Sequence, residues 1–475
     1  MKSQELSIKY GLLFAIVGLT LLHLACIQSE PLGIAVSLSE IILSFYLLIK
    51  RQYDTSIYAI CIILATSYSS GGFFGSNYNK EIYTFENIPF LHGYPATLYF
   101  LLLSFLVISN PRNRHNQRSP IISFAKYTIY GGFIMGIVSV LYNGFQYRAW
   151  VTDIFQCLVP ALMVLVITYV NYKNKDFSVK IKTIIFHLLL SYVIIAWLTI
   201  LLNIYADVGG EREKVLMTPI PCFYIPSLIL FIGLLRKRSD KIIVLAAYAS
   251  SLYFQFFFDS TMNGKSWFVF ITSILAIIYS LSIKYWNRYR ALSTVFIIAS
   301  LVVVANALPK FFSFSEDSEN LKLKEFVSIH DAAESGDLDD MGMSSGFRFI
   351  EFINTAEQYI DQPLFALTGR GYGGSIHSNG YFVIRSDSYF TEDQYVNDKF
   401  YRLHESLNVF FLKHGIIGLV LLLYLIILTI RGLPHSPWLY IGFIWLLFFW
   451  GFQTSLLSIG IPALILGYNE YKKND

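Results

Sequence analysis

Charged residues are scarce in this sequence of 475 residues: Asp, Glu, Lys and Arg make up only 14% of it. Soluble domains average roughly 25%, so an ordinary soluble chain is excluded. A mean hydropathy of +0.52 cannot come from a single membrane anchor. Apolar runs of about 16–20 residues recur along the chain and are apolar all round, which indicates membrane helices rather than the alternating strands of a barrel.

Cysteine is also rare. The four cysteines, Cys26, Cys61, Cys157 and Cys222, lie in or beside apolar runs. Their placement predicts neither a disulfide framework nor a cysteine-based metal site. The segment before Cys26 resembles a lipoprotein cleavage box, but His23 stands where an apolar residue is needed. We therefore predict a first membrane helix there and not a removed signal.

The apolar runs predict an all-α polytopic helix bundle with about fourteen spans. Their expected positions are 9–27, 32–49, 56–74, 94–109, 121–142, 153–171, 183–205, 217–235, 242–258, 266–283, 291–308, 406–430, 437–453 and 454–470.

Lysine and arginine are distributed unevenly between the gaps. If the N-terminus is cytoplasmic, the basic clusters all fall on the cytoplasmic side, as the positive-inside rule requires. This orientation makes 309–403 one large extracytoplasmic loop. It follows spans one to eleven (1–308) and precedes the last three spans and a short cytoplasmic tail (404–475), so both termini are predicted to be cytoplasmic.

The large loop carries twice as many acidic as basic residues. Its first part, 313–343, is acidic and polar, which predicts a mobile segment. Its second part begins with apolar residues at helical spacing, which predict an amphipathic helix on the membrane or on the bundle, ended by Pro363. These apolar residues are Phe349, Phe352, Ile353, Ala356 and Ile360.

Two segments of the loop carry candidate chemistry. Gly369-Arg370-Gly371 could bring backbone N–H groups and a guanidinium to a phosphate, or form only a glycine-rich turn. His404 could act as a general base, or only cap the next helix. Glu405 could hold the imidazole or be a base itself, although an acidic residue also suits a first helical turn.

Several further basic residues are candidates. Arg348 could bind an anion or pair with Glu351 one turn away. Arg212 and Lys265 run against the positive-inside bias of the short outer loops, which favours a functional role. Lys413 lies inside a span and is costly there unless it faces a wet cavity. Glu40 and His187 are isolated polar residues in spans, and we expect packing roles for them.

The C-terminal third resembles the O-antigen ligase/polymerase superfamily of membrane enzymes. The resemblance covers roughly residues 260–430 and rests on ordered motifs that end in His404-Glu405, where the family commonly has His-Asn. The preceding motifs are Lys265-Ser266, Arg348 within 345–350 and Gly369-Arg370-Gly371, and the glycines Gly415 and Gly418 follow.

The resemblance implies a GT-C type glycosyltransferase of the bacterial inner membrane that needs no metal and no cofactor. Its substrate would be an undecaprenyl-diphosphate-linked oligosaccharide in the membrane lipid, with a chain-length regulator as a further partner and no nucleic acid. Arg348, His404 and Glu405 would be catalytic, with His404 assisting the acceptor hydroxyl. The diphosphate would be bound by Arg212, Lys265, Arg370 and Arg402.

Within this family, the expected function is a polymerase that joins lipid-linked repeat units into O-antigen or a related surface polysaccharide. A ligase that transfers finished glycan to the lipid A core is the close alternative. A lipid-oligosaccharide flippase would suit the span count, but the sequence lacks the internal repeats usual in transporters. A purely structural membrane protein is a third possibility.

Overall fold

The structure, a computed structural model, describes most of the chain outside the region 258–342. The described residues are 6–68, 84–85, 88, 91, 94–110, 119–202, 205–206, 215–216, 224, 227–257, 343–379, 390, 392–403, 406–448 and 454–474. The predicted spans 266–283 and 291–308 and almost all of the acidic part of the loop lie outside them.

The first part of the chain is helical. Its helices are α1 (Tyr10–Gln28), α2 (Glu30–Ile49), α3 (Tyr53–Thr66), α4 (Tyr94–Ile108), α5 (Pro120–Asn143), α6 (Tyr147–Asp153), α7 (Val159–Lys173) and α8 (Lys175–Leu201). A π-helical turn, Ile154–Leu158, joins α6 to α7 without a break.

A short ladder and two more helices follow. Strands β1 (Tyr205–Ala206) and β2 (Val215–Leu216) pair antiparallel, and α9 (Ser227–Phe231) continues through the 3-10 turn Ile232–Leu234 towards α10 (Arg238–Phe257). The remaining helices are α11 (Met343–Ile360), α12 (Pro363–Thr368), α13 (Glu392–Val396), α14 (Ser406–Gly432), α15 (Trp438–Phe448) and α16 (Thr454–Asn474).

Six helical segments of the described residues are long and apolar enough to cross a membrane. Their apolar character, rather than local capping, accounts for these helices, although proline opens several and the Asn174 side chain caps α8. The chain is therefore a helical membrane protein. The six segments are Tyr10–Ile27, Glu30–Ile49, Pro120–Tyr142, Tyr147–Lys173, Asp176–Leu201 and Leu407–Gly432.

The predicted span at 217–235 differs from the structure in its second half, which is the part that the structure describes. Helix α9 covers only Ser227–Phe231, and a 3-10 turn follows at Ile232–Leu234. Leu235 is extended and forms a parallel bridge with Leu6. This part of the apolar run is therefore not one continuous α-helix.

Buried aromatic and aliphatic side chains of α7, α8, α15 and α16 form the centre of the main core. The start of the chain is tied to this centre by polar contacts. The backbone N–H of Lys9 donates to Nε2 of His187 (2.7 Å), and His187 Nδ1 lies 2.6 Å from the Thr183 carbonyl oxygen. Since Nε2 accepts, Nδ1 carries the proton, and His187 has the packing role expected of it.

Glu40 is not isolated, contrary to the sequence-based expectation. Its Oε1 atom lies 2.8 Å from Nε2 of His23, and both side chains are buried between α1 and α2. A buried acid in a span is stabilised by such a partner. The contact therefore serves helix packing, as predicted, but through a specific polar pair.

Candidate functional site

Helix α14 is broken at Gly415, whose backbone is non-helical (φ 60°, ψ −159°). In an unbroken helix the carbonyl groups of residues 412–414 would accept from residues four positions later. Here other segments supply the donors. Leu412 O accepts from Arg370 N (2.8 Å) and from the Tyr359 hydroxyl (2.7 Å), and Lys413 O accepts from Gly371 N (3.0 Å). The break is thus capped by the glycine-rich loop, residues 369–374.

Glycine is required in this loop for two reasons. Gly369, Gly371 and Gly373 have φ between 68° and 76°, a region that favours glycine. The backbones also approach closely, because a Cβ on Gly371 would lie 2.0 Å from the Gly136 nitrogen on α5. The loop therefore lies between α5 and α14 as an inserted segment. It is also a glycine-rich turn after a helix, since α12 ends at Thr368 directly before it.

A buried ion pair holds the other side of the loop. Lys413 Nζ donates to Asp153 Oδ2 (2.6 Å) and to the Gly374 carbonyl (2.7 Å), and the same carboxylate oxygen accepts from Gly373 N (2.6 Å). The Lys413 side chain is fully buried. It does not face a wet cavity in the described structure, and its charge is instead compensated by Asp153 at the start of the π-helical turn.

Arg370, a predicted diphosphate ligand, lies within this scaffold. Its guanidinium donates to the Ser375 carbonyl and to Oε1 of Gln362 (3.2 Å), and it lies 5.7 Å from the ring centroid of Tyr359. Burial lowers the pKa of Arg370, and the nearby Tyr359 opposes that effect. The residue is only 2% exposed, so its hydrogen bonds stabilise the loop.

Helix α11 confirms the predicted amphipathic helix, which ends before Pro363. A soluble helix usually buries its apolar side chains and exposes its polar ones. In α11 the apolar Phe349, Phe352 and Ile360 are exposed, while the polar Glu351 and Asn354 are fully buried. In a membrane protein an exposed apolar face suits lipid, and a polar face turned inwards can line a site.

Arg348 lies on α11 and is half-buried. The Asn408 side chain, in the first turn of α14, donates both to the Arg348 carbonyl (2.8 Å) and to Oε2 of Glu351 (3.0 Å). The Asn408 amide therefore links the turn of α11 that carries Arg348 to the start of α14. His404 precedes α14 by two residues.

Arg402 lies on a second segment that reaches the same region. Ile376 and Phe400 exchange backbone hydrogen bonds of 2.9 and 2.8 Å, which pairs the end of the glycine-rich loop with the approach to α14. Arg402 follows two residues later and is half-buried. The structure thus brings together the segments of Arg348, Arg370 and Arg402, whereas His404, Glu405, Arg212 and Lys265 lie outside the described residues.

His377 and Asp398 form a further pair that the sequence did not single out. Nδ1 of His377 lies 3.3 Å from Oδ2 of Asp398, and the two side chains are 50% and 53% exposed. Among the described residues, no group of three or more His, Cys, Asp or Glu side chains could hold a metal ion.

Neither a model of a known protein family nor a curated protein or solved structure matches this chain.

One missed residue, Asp153, had a signal in the sequence. Asp153 and Lys413 are opposite charges placed inside separate apolar runs, where each requires compensation, so a pairing could be expected. Asn408 gave no such signal, because an amide in a first helical turn is ordinary. The His377–Asp398 contact depends on the Ile376–Phe400 bridge, which no local pattern predicts.

Replacing Gly136 by alanine should destabilise the protein by about 1–3 kcal/mol, because overpacking forces the loop away from α5. A Cβ there would lie 2.5 Å from the Tyr372 carbonyl oxygen. The control is Gly131→Ala on the same helix. A Cβ at Gly131 would make only ordinary contacts, the nearest at 3.5 Å, so this substitution should be neutral or stabilising. Thermal unfolding in detergent measures both, and equal midpoints for the two variants would contradict the close loop contact.

Replacing Lys413 by methionine should destabilise the protein by roughly 3–5 kcal/mol, because it leaves the Asp153 carboxylate buried without its cation. Asp153→Asn should have a comparable effect. The double variant should lose much less than the sum of the two single variants. Lys126→Met, at an exposed position of α5, is the control for loss of a lysine. If the losses of stability in Lys413→Met and Asp153→Asn simply add in the double variant, the Lys413–Asp153 ion pair is contradicted.

Proposed function

We propose that this chain is a metal-independent membrane glycosyltransferase that joins undecaprenyl-diphosphate-linked oligosaccharide repeat units into O-antigen or a related surface polysaccharide. Its architecture would be of the GT-C type with about fourteen spans, in a bacterial inner membrane with both termini cytoplasmic. The site would lie at the outer membrane face, where donor lipid is present and nucleotides are scarce.

One contact carries the proposal. The Asn408 amide bonds to the Arg348 carbonyl and to Glu351, which ties the arginine-bearing turn of α11 to the helix that His404 precedes. The motifs that resemble the ligase/polymerase superfamily are far apart in sequence, yet the described ones meet on the first two turns of α14. Such convergence is what a shared active site requires.

The chemistry of these residues suits a diphosphate leaving group. Charge develops on the diphosphate as its bond to the sugar breaks, and fixed guanidinium groups stabilise that charge. Arg348 and Arg402 are half-buried, so both retain exposed surface for a ligand. Arg370 would support the diphosphate indirectly, through the loop that it stabilises.

The acceptor hydroxyl needs a base, because its own pKa is far above neutral. His404, two residues before α14, would take its proton, with Glu405 holding the imidazole. The exposed apolar face of α11, formed by Phe349, Phe352 and Ile360, would contact the polyprenyl chain.

Deleting the gene in its host tests the type of reaction. Loss of a polymerase should leave a single repeat unit on the lipid A core, because the ligase still transfers unpolymerised units. Electrophoresis of the lipopolysaccharide reads out the result. Bare core with glycan retained on the carrier lipid would identify the ligase instead, and glycan retained on the cytoplasmic face would identify a flippase.

Variants in the complemented deletion strain test the site. His404→Ala should lower the polymerisation rate by roughly 10²–10⁴-fold, as loss of a general base does, and Arg348→Ala by roughly 10²–10³-fold through lost charge stabilisation. Both strains should then accumulate single repeat units.

The matched controls are His435→Ala and Arg431→Ala, near the far end of α14, which should leave the chain-length distribution unchanged. Immunoblots of membranes verify equal amounts of each variant. Normal polymer from His404→Ala at wild-type protein levels would remove the assigned base.

A further inference from the structure

His377 is the first exposed residue after a run of buried loop residues, 371–376. Its side chain faces Asp398, with 3.3 Å between Nδ1 and Oδ2, and about half of each side chain is exposed. The pair therefore stands where the inserted loop returns to the surface.

The backbone beneath this pair is fixed by hydrogen bonds. His377 N donates to Oε1 of Gln358 (3.1 Å), and the His377 carbonyl accepts from Asn354 Nδ2 (2.8 Å) and Gln358 Nε2 (2.9 Å). Asp398 Oδ1 accepts from Ser378 N (2.8 Å). The backbone is thus held by α11 while about half of each side chain stays exposed, an arrangement suited to recognition by a preorganised group.

The open atoms of the pair match sugar hydroxyl groups. Within the described part of the chain, His377 Nε2 has no protein partner, and each oxygen of a carboxylate can accept more than one hydrogen bond. Neighbouring hydroxyls of a sugar could therefore bind the imidazole and the carboxylate together.

The position of the pair connects it to the proposed active site. From Asp398 the chain passes through the bridge residue Phe400 to Arg402, a separation of at most about 13 Å for four extended residues. The Asp398 carboxylate would repel a diphosphate. The pair therefore fits the uncharged hydroxyls of a glycan that reaches towards the diphosphate, and not the donor headgroup.

We infer that His377 and Asp398 form a binding subsite for the acceptor glycan, with His377 Nε2 and the Asp398 carboxylate contacting its hydroxyl groups. This inference rests on the proposed polymerase function. It goes beyond that function by separating acceptor binding, at this pair, from diphosphate binding and base catalysis near Arg348, Arg402 and His404.

A defined acceptor tests the subsite. The probe is the host's own repeat unit linked to a short alkyl chain, which has no diphosphate and can serve only as acceptor. With purified full-length protein and native donor, His377→Ala should raise the acceptor KM about tenfold, the effect of one lost hydrogen bond. The values of kcat and of the donor KM should stay within about twofold, since the base and the diphosphate ligands are untouched.

Side-chain replacements locate the contacting nitrogen. The glutamine amide reaches the position of Nε2, where its oxygen can accept a hydrogen bond as the neutral imidazole nitrogen does, whereas the asparagine amide reaches only the position of Nδ1. His377→Gln should therefore retain more acceptor affinity than His377→Asn. Asp398→Asn should weaken acceptor binding in the same way, whereas Asp361→Asn, at an exposed turn of the same loop, should not.

Direct binding of the alkyl-linked repeat unit, followed by intrinsic fluorescence, gives a readout that does not depend on turnover. If the wild-type protein transfers glycan but the acceptor KM and binding are unchanged in both His377→Ala and Asp398→Asn, the subsite is wrong and the polymerase function stands. A fall in kcat at constant acceptor KM would also overturn it. If wild-type protein neither binds nor transfers glycan, both the subsite and the proposed polymerase function are wrong.

Discussion

The break of α14 at Gly415 removes helical partners from carbonyl groups that lie inside an apolar bundle. An unsatisfied buried carbonyl costs about 1–3 kcal/mol, and a membrane interior offers no water to compensate. The backbone N–H groups of Arg370 and Gly371 and the Tyr359 hydroxyl satisfy Leu412 and Lys413, and the Tyr127 hydroxyl donates to the His414 carbonyl (3.2 Å). The position of the glycine-rich loop, and of each segment attached to it, follows from this requirement.

Two different uses of positive charge follow from the same constraint. Lys413 and Arg370 are almost fully buried, and their hydrogen bonds go to Asp153 and to loop carbonyls. A cation that is almost fully buried has little surface left for a ligand. Arg348 and Arg402 are half-buried, and their exposed surface suits the diphosphate contacts that we propose for them.

The sequence predicted the six long apolar helices from their composition and the amphipathic α11 from its helical spacing, because both signals lie within one segment. It failed in the described part of 217–235, where the chain leaves the α-helix after Phe231 and Leu235 pairs with Leu6. It singled out Arg370 and Lys413 but not their partners, because each charge was considered within its own segment. Those partners, Gln362, Ser375 and Asp153, are set by the insertion of the loop between α5 and α14, which no local pattern encodes.

Helix α11 connects the broken helix α14 to both proposed sites. Its apolar face can contact lipid, while Asn354 and Gln358 on the other side hold the backbone of His377. Nearer the start of α11, the Asn408 amide donates to the Arg348 carbonyl and to the Glu351 carboxylate. A single rigid helix therefore sets the spacing between the proposed diphosphate site and the proposed acceptor subsite. Because α11 packs on the broken helix through Phe411 and Leu412, a disturbance of the Gly415 break should change that spacing without touching either site.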